Sequence, residues 1–341
     1  MLDLKSDQVA WADGNAWAPC IEEKMVDGKY KYFFYFSGNP VAGGGKQIGV
    51  AVADSPIGPF KDLGHPIITE SPVGHGQQID VDVFTDPVSG KSYLYWGNGY
   101  MAGAELNEDM VSIKKNTLTV LTPKGGSLKD YAFREAAYVF YRNGLYYFMW
   151  SVDDTGSPNY HVAYGTSKSP LGPIKVAKKP VVLIQDPAKE IYGPAHNAVL
   201  QIPGTDEWYI VYHRINKNFI DREKGPGVHR EVCIDRMEFN PDGTIRKVVP
   251  TLLKKHDNKA YTMKKTLLSL AIASLAAGQS VCAAVEKVYN EPDSVYIFSY
   301  AHPEDEGRSG LKFAWSPDGD KWLSVSDGFA YLKCDFGRWG A

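Results

Sequence analysis

Apolar and aromatic residues recur along this chain in short runs, each preceded by a polar turn. The runs are DGKYKYFFYFSG (27–38), SGKSYLYWGNG (89–99), NGLYYFMWSVDD (143–154), DEWYIVYHR (206–214) and a looser copy, DSVYIFSYA (293–301). Three of them open with Asp-Gly, Ser-Gly or Asn-Gly, which favour hairpin turns because glycine tolerates positive φ. The residues that follow have the length and composition of β-strands. The pattern therefore predicts a series of hairpins.

A second pattern follows some of these runs. GVAVADSPIGPF (49–60) is echoed by VAYGTSKSPLGPI (162–174), and FAWSPDGDKW (313–322) is a looser variant. The repeating unit is thus a strand, a turn, an aromatic strand, and a further strand with a Ser-Pro turn. The turn glycines of the first three copies are 62 and 54 residues apart. Repetition at this period predicts an all-β propeller, and a β-sandwich with irregular hairpins is the alternative.

One segment departs from the β pattern. MKKTLLSLAIASLAAGQSVCAA (263–284) has two lysines, an apolar run and small residues at its end, as the start of a secretory signal peptide does. Its apolar run is short for a bilayer, so we expect no membrane span. The segment divides the chain into a propeller over 1–257, a linker over 258–285, and the beginning of a second propeller-like protein over 286–341.

The amino-acid composition argues against some classes of function and is compatible with sugar binding. The chain has 44% hydrophobic and 23% charged residues and a net charge of −3, which is ordinary globular composition without a basic footprint for nucleic acid. Aromatic residues make up 13%, which suits both strand packing and stacking on sugar rings. The four cysteines have no CxxC spacing, so they predict neither a metal centre nor a dense disulfide framework.

Three polar residues precede aromatic strands by similar distances. Asp80 lies in GQQIDVDVF, Glu135 in REAAYVF and His196 in GPAHNAV. If the blades of a propeller are equivalent, we expect these side chains to meet in one central pocket. Two carboxyl groups are what hydrolysis of a glycosidic bond requires, one as acid and one as carboxylate. A surface carboxylate or a buried structural imidazole is the simpler interpretation of each residue taken alone.

Six pieces of the chain, in this order, resemble glycoside hydrolase family 43. They are WAPCI (17–21), GQQIDVDVF (76–84), REAAYVF (134–140), GPAHNAV (193–199), YHR (212–214) and REVCIDRMEFNPDGTI (230–245). The resemblance implies a five-bladed propeller that hydrolyses arabinosyl, xylosyl or galactosyl linkages with inversion. It also implies an oligosaccharide or polysaccharide partner, no required cofactor, and a structural calcium or sodium ion at the propeller centre.

The resemblance also assigns roles to residues. Glu135 matches the general acid, and Asp80 matches the carboxylate that orients this acid and raises its pKa. His196 matches a histidine that helps to hold the hydrated ion. Trp17 and Arg214 match a subsite wall and a substrate contact, although core packing is the alternative for Trp17.

The chain departs from the family pattern in three ways. The family has Gly-Pro after its acid where this chain has Ala136-Ala137, and proline after its aspartate where this chain has Val81. No segment before residue 17 resembles the family's first blade, which carries the aspartate that serves as general base. We therefore expect an incomplete five-bladed propeller, with the first blade missing or replaced by strands from 286–341, and impaired hydrolysis.

The leading interpretation is a hydrolase acting on arabinosyl or xylosyl linkages of plant polysaccharides, secreted or periplasmic. The alternative is a non-catalytic carbohydrate-binding propeller, which would keep the pocket without the base. A protein-interaction propeller of the kelch or WD type is less favoured, because the chain has no Trp-Asp pair to complete a Gly-His…Trp-Asp signature and no regular period of 40–50 residues.

Overall fold

The computed structural model describes residues 2–4, 6–202, 204–216 and 229–251, and the backbone of three short strands between 296 and 324. The chain forms two compact units. The larger covers 1–200 and 207–252, and the smaller covers 201–206 and 253–337. The signal-like segment at 263–284 lies outside the described residues. None of the helices in the described part of the chain is long and apolar enough to cross a membrane.

The larger unit contains four antiparallel sheets among its described residues, which we call blades A to D. Blade A consists of β1 (Ala12–Val26), β2 (Lys29–Pro40), β3 (Gln47–Ala53) and β4 (Lys61–Asp62). Blade B consists of β5 (Asp82–Thr85), β6 (Ser92–Trp96), β7 (Ala102–Glu105) and β8 (Thr119–Val120). Blade C consists of β9 (Glu135–Arg142), β10 (Leu145–Val152), β11 (His161–Ser167) and β12 (Lys175–Leu183). Blade D consists of β13 (Tyr192–Gln201), β14 (Trp208–Ile215) and β15 (Arg230–Met237).

The smaller unit contains one described sheet, in which β16 (Tyr296–Tyr300), β17 (Lys312–Ser316) and β18 (Leu323–Ser324) lie in chain order. Two 3₁₀ turns, at Lys115–Thr117 and Pro187–Lys189, are the described helical elements of the larger unit.

The structure confirms the hairpins that the aromatic runs predicted. In each blade the run forms the second strand, which gives β2, β6, β10 and β14, and the looser copy forms β16. The strands that carry the Ser-Pro echo are β3 and β11, each third in its blade, and the variant forms β17. The repeat in the sequence is therefore a repeat of one antiparallel strand order.

Neighbouring blades pack face to face, and side chains alternate between the two faces along each second strand. Leu94 and Trp96 of β6 pack with blade A, whereas Tyr95 packs with blade C. Tyr95 meets Phe148 of β10 edge to face at 5.8 Å between ring centroids. Because both faces of β6 are buried, this strand has no polar face to alternate with an apolar one.

This arrangement is an all-β propeller, and the described sheets of the larger unit account for four blades. The first strands of neighbouring blades contact one another, β1 with β5 and β5 with β9. They are thus the inner strands, and the residues at their beginnings face a shared central space.

Candidate active site

A cavity of about 270 Å³ lies where the inner strands meet. Each of the four described blades contributes to its lining in or just before its inner strand, with Ala18 from blade A, Asp80 from blade B, Ala136 from blade C and His196 from blade D. The outer part of blade D adds Tyr212, His213 and Val232.

These four residues all adopt positive φ. The values are 32° for Ala18, 56° for Asp80, 59° for Ala136 and 50° for His196. This region costs a residue with a Cβ about 1–2 kcal/mol, and such conformations concentrate at functional sites. Each of the four described blades therefore has one residue in this left-handed region at the cavity.

Glu135, at the start of β9, is buried and held at both carboxyl oxygens. Asn98 Nδ2 donates to Oε2 at 2.7 Å, and the Tyr160 hydroxyl donates to Oε1 at 2.9 Å. Burial and the neighbouring charge of Asp80 raise the pKa of Glu135 to about 7, against the opposing effects of His196, Tyr160 and Arg134. The side chain can thus keep a proton near neutral pH and give it up.

Asp80 is buried beside the acid. The backbone N–H of Ala136 donates to its carboxylate, and the positive charges of Arg230 and Arg134 favour its ionised form. Burial outweighs these contributions and raises the pKa of Asp80 to about 7. Two buried carboxyl groups that interact in this way do not both ionise at neutral pH, so the pair retains a proton.

Two histidines of blade D complete the centre. Burial lowers the pKa of His196 to about 4, and it lowers the pKa of His213 well below the ordinary value, so both rings are neutral at pH 7. Their centroids are 6.1 Å apart, and His213 stacks on Tyr160 at 5.7 Å. His213 Nε2 is buried and has no hydrogen-bond partner among the described residues.

The sequence profile of Glycosyl hydrolases family 43 matches residues 3–245. The chain belongs to this family. The match covers blades A to D almost entirely and includes every residue of the cavity.

Curated family 43 relatives carry several activities. A beta-D-galactofuranosidase of Aspergillus niger is 36% identical over 259 residues, which are 73% of this chain and 70% of that protein. An arabinoxylan arabinofuranohydrolase of Bacillus subtilis is 31% identical over 70% of this chain, and the match spans 48% of that longer relative.

Solved family 43 structures have the same fold. A thermostable family-43 glycoside hydrolase superposes with a TM-score of 0.62 at 26% identity, over 75% of this chain and 81% of that one. A beta-xylosidase/alpha-arabinofuranosidase from a compost microbial metagenome gives 0.58 at 27% identity, over 74% and 78%.

The predicted site residues divide into two groups. Asp80 and His196 line the cavity, and Glu135 interacts electrostatically with both. Trp17 and Arg214 are not among the described residues that line the cavity. The Lys46 ammonium lies 3.9 Å from the centroid of the Trp17 ring, and Arg214 Nε lies 3.0 Å from a Glu231 carboxylate oxygen.

Sequence reasoning missed Asn98, Tyr160 and His213. Asn98 lies in Gly-Asn-Gly, which directly follows the aromatic strand β6, and His213 lies in the Tyr-His-Arg piece of the family resemblance. Asn98 and His213 could both have been predicted as site candidates, because each is a polar residue near the end of a core strand. Nothing in the sequence distinguishes Tyr160 from the many tyrosines that only pack in the core.

Proposed function

We propose that this family 43 chain hydrolyses arabinosyl or xylosyl linkages of plant polysaccharides by an inverting mechanism, with Glu135 as the general acid. The observation that carries the proposal is the buried pair of Glu135 and Asp80, in which burial and like charge raise the pKa of Glu135 to about 7. The names of the arabinofuranohydrolase of Bacillus subtilis and the beta-xylosidase/alpha-arabinofuranosidase from the compost metagenome support the choice of sugars.

In this mechanism Glu135 gives its proton to the glycosidic oxygen as the bond to the anomeric carbon breaks. Asp80 keeps the acid protonated beforehand through its charge. Its bond from the Ala136 N–H holds it against the strand on which the acid lies. Water attacks from the opposite face of the sugar, and in an inverting enzyme a second carboxylate takes its proton.

We further propose that this second carboxylate is not among the described residues, and that hydrolysis by the chain is impaired as a result. Besides Asp80, the described carboxylate that lines the cavity is Asp82. Its Oδ2 accepts a bond from the Val139 N–H at 3.1 Å, and burial raises its pKa well above the ordinary value. A buried acid of that kind is a poor base at neutral pH. General base catalysis is worth about 10²–10⁴-fold.

The exposed face of blade D supports a propeller with a fifth blade. Leu200, Val232 and Ile234 are 43%, 76% and 44% exposed, although the residues that alternate with them on β15 face the core. We call these three residues the blade D face. An apolar sheet face of this kind is usually covered in a propeller. We propose that the missing blade is the family's first.

We assign residues 286–341 to a second propeller-like protein that is exported by the signal-like segment preceding them. We assign the first part of the chain to the same secreted or periplasmic location. Limited proteolysis tests the division. Rapid cleavage within 258–290, with residues up to 251 resistant, is the expected result. Protection of 286–341 together with the blades would favour strands that replace the missing blade.

A central calcium or sodium ion fits the site only as a hydrated ion. His196 is neutral at pH 7, so a ring nitrogen can accept a bond from a bound water. The described residues contain no group of three or more His, Cys, Asp or Glu side chains placed to hold a metal directly. The ion would supply positive charge at the base of the pocket, and no step of the reaction is assigned to it.

Turnover of aryl arabinofuranosides and aryl xylosides by the purified chain tests the function, with Glu135→Gln as the inactive control. Added azide tests the missing base. Azide attacks the anomeric carbon, the aryl alcohol leaves with the proton of Glu135, and a glycosyl azide of inverted configuration forms. We expect azide to accelerate the reaction. Full turnover without azide would contradict the impairment.

Titration calorimetry with arabino- and xylo-oligosaccharides distinguishes the alternative. Binding that is unchanged in Glu135→Gln, together with no turnover of any glycoside in the presence or absence of azide, would indicate a non-catalytic carbohydrate-binding propeller.

A further inference from the structure

Glu135 receives its two hydrogen bonds from loops of two different blades. Asn98 follows β6 in blade B, and Tyr160 precedes β11 in blade C. Both donors are buried, and the Tyr160 side chain is completely enclosed. Each carboxyl oxygen of Glu135 therefore has one donor that solvent does not compete with.

Both donors are fixed by further contacts. Gly99, the neighbour of Asn98, donates its N–H to the Arg134 carbonyl at 2.7 Å, which ties this loop to the residue before the acid. The Tyr160 ring stacks on His213 of blade D at an interplanar angle of 26°. Its hydroxyl is also hydrogen-bonded to Ser151, whose Oγ accepts the backbone N–H of His196 at 3.0 Å. Three blades thus fix the position of one carboxyl group.

Donation to both oxygens favours the carboxylate over the neutral acid. When Glu135 is neutral, its proton occupies a lone-pair position that neither donor uses. As that proton moves to the glycosidic oxygen, negative charge develops between the two donors. Bonds to a developing charge strengthen along the reaction coordinate and so lower the barrier.

We propose that Asn98 and Tyr160 are positioning residues of this active site, which fix the acid carboxyl group and stabilise the carboxylate that remains after proton donation. The proposal rests on the proposed function of Glu135. The other groups that act on Glu135 electrostatically are Asp80, His196 and Arg134. The two side-chain hydrogen bonds to the Glu135 carboxyl group come from Asn98 and Tyr160, and not from these three residues.

Leaving-group dependence tests the proposal. Tyr160→Phe removes one hydroxyl group and keeps the ring that stacks on His213. With methyl glycosides or oligosaccharides, whose leaving group needs a proton, we expect kcat to fall about 10–100-fold with little change in KM. With 2,4-dinitrophenyl glycosides, which leave without a proton, the loss should be under about 3-fold. Equal losses on both substrates would overturn the proposal.

Tyr164→Phe is the matched control. Tyr164 is a buried tyrosine of the same blade. Its hydroxyl oxygen accepts a 3.0 Å hydrogen bond from the backbone N–H of Ile245 and is not bonded to Glu135. This variant should lose stability but keep the wild-type ratio between the two substrates. Asn98→Ala removes the other donor and should repeat the selective loss. If Tyr160→Phe fails to fold, Asn98→Ala decides the question.

A second measurement requires no turnover. The side-chain carboxyl carbon of Glu135 can be followed by NMR in protein labelled with ¹³C-glutamate and assigned by its loss in Glu135→Gln. The pKa of Glu135 is about 7 in the intact site, and the Tyr160 bond lowers it. We expect a higher titration midpoint in Tyr160→Phe and Asn98→Ala, and no change in Tyr164→Phe. Unchanged midpoints would overturn the proposal.

The two measurements separate the two ideas. If the wild-type chain cleaves no glycoside, even with azide, the proposed function fails. The NMR comparison would still decide whether Asn98 and Tyr160 stabilise the Glu135 carboxylate.

Discussion

The backbone N–H of Ala136 donates a hydrogen bond to the carboxylate of Asp80. Ala136 directly follows Glu135, so one peptide unit connects the proposed acid to the carboxylate that raises its pKa. The bond is made across neighbouring blades, and its donor, Ala136, has a φ of 59°. Backbone geometry and electrostatics are therefore coupled at this point of the site.

Removing the charge of Asp80 should lower the pKa of Glu135. Asp80→Asn keeps an oxygen that can accept the Ala136 N–H but loses the like charge that raises the pKa of the acid. We expect the basic limb of the pH–rate profile to move to lower pH and the rate at pH 7 to fall about tenfold. Asp82→Asn, two residues along the same strand, is the control and should leave the limb in place.

Ala136→Gly should stabilise the protein. Ala136 has a φ of 59°, which glycine adopts without the steric cost that a Cβ incurs. Relief of that strain exceeds the added entropy of an unfolded glycine, so we expect a gain of up to about 1 kcal/mol in the free energy of unfolding. Urea denaturation measures it. Ala137→Gly, at the next residue, should destabilise, and a loss in both variants would contradict the argument.

Glu135→Gln should stabilise the protein at neutral pH more than at acid pH. The pKa of Glu135 is about 7 in the folded state and near 4.5 when unfolded. The folded state therefore holds the proton more tightly. Stability from this group is greatest below pH 4.5 and is lost as the pH rises through 7. Glutamine does not titrate, so the variant avoids this loss, which is on the order of 2–3 kcal/mol.

Thermal unfolding of both proteins from pH 4.5 to 8 checks this expectation. Glu105→Gln is a control of opposite sign, because Lys114 and Lys91 hold the pKa of Glu105 below its usual range. Its stability contribution is present above the unfolded pKa and is lost as the pH falls. That variant should lose more stability at neutral than at acid pH.

The blade D face should promote self-association. Val232 is 76% exposed on the same face of β15 as Ile234, Leu200 of the same blade is 43% exposed, and exposed apolar surface favours association. We expect Val232→Lys to reduce the concentration dependence of light scattering. Val88 is 65% exposed in the turn between β5 and β6, outside that face. An equal effect of Val88→Lys would argue against a specific role for the blade D face.

Local pattern was sufficient to predict the strands. The aromatic runs became β2, β6, β10, β14 and β16 because turn dipeptides and apolar runs of strand length are local features of a few residues. The same repetition indicated Asp80, Glu135 and His196, since each occurs at a similar point of its repeat. The residues that predict a strand lie within one hairpin, so one sequence is enough to identify it.

Contacts between blades could not be inferred in the same way. Asn98 and Tyr160 reach Glu135 from 37 and 25 residues away, and their distance along the chain does not indicate that they meet at one carboxyl group. The raised pKa of that group depends on burial by several blades. The Lys46 ammonium over the ring of Trp17 is likewise a contact between loop and strand. Packing of distant segments decides these features, because desolvation and hydrogen-bond geometry exist only once the blades have assembled.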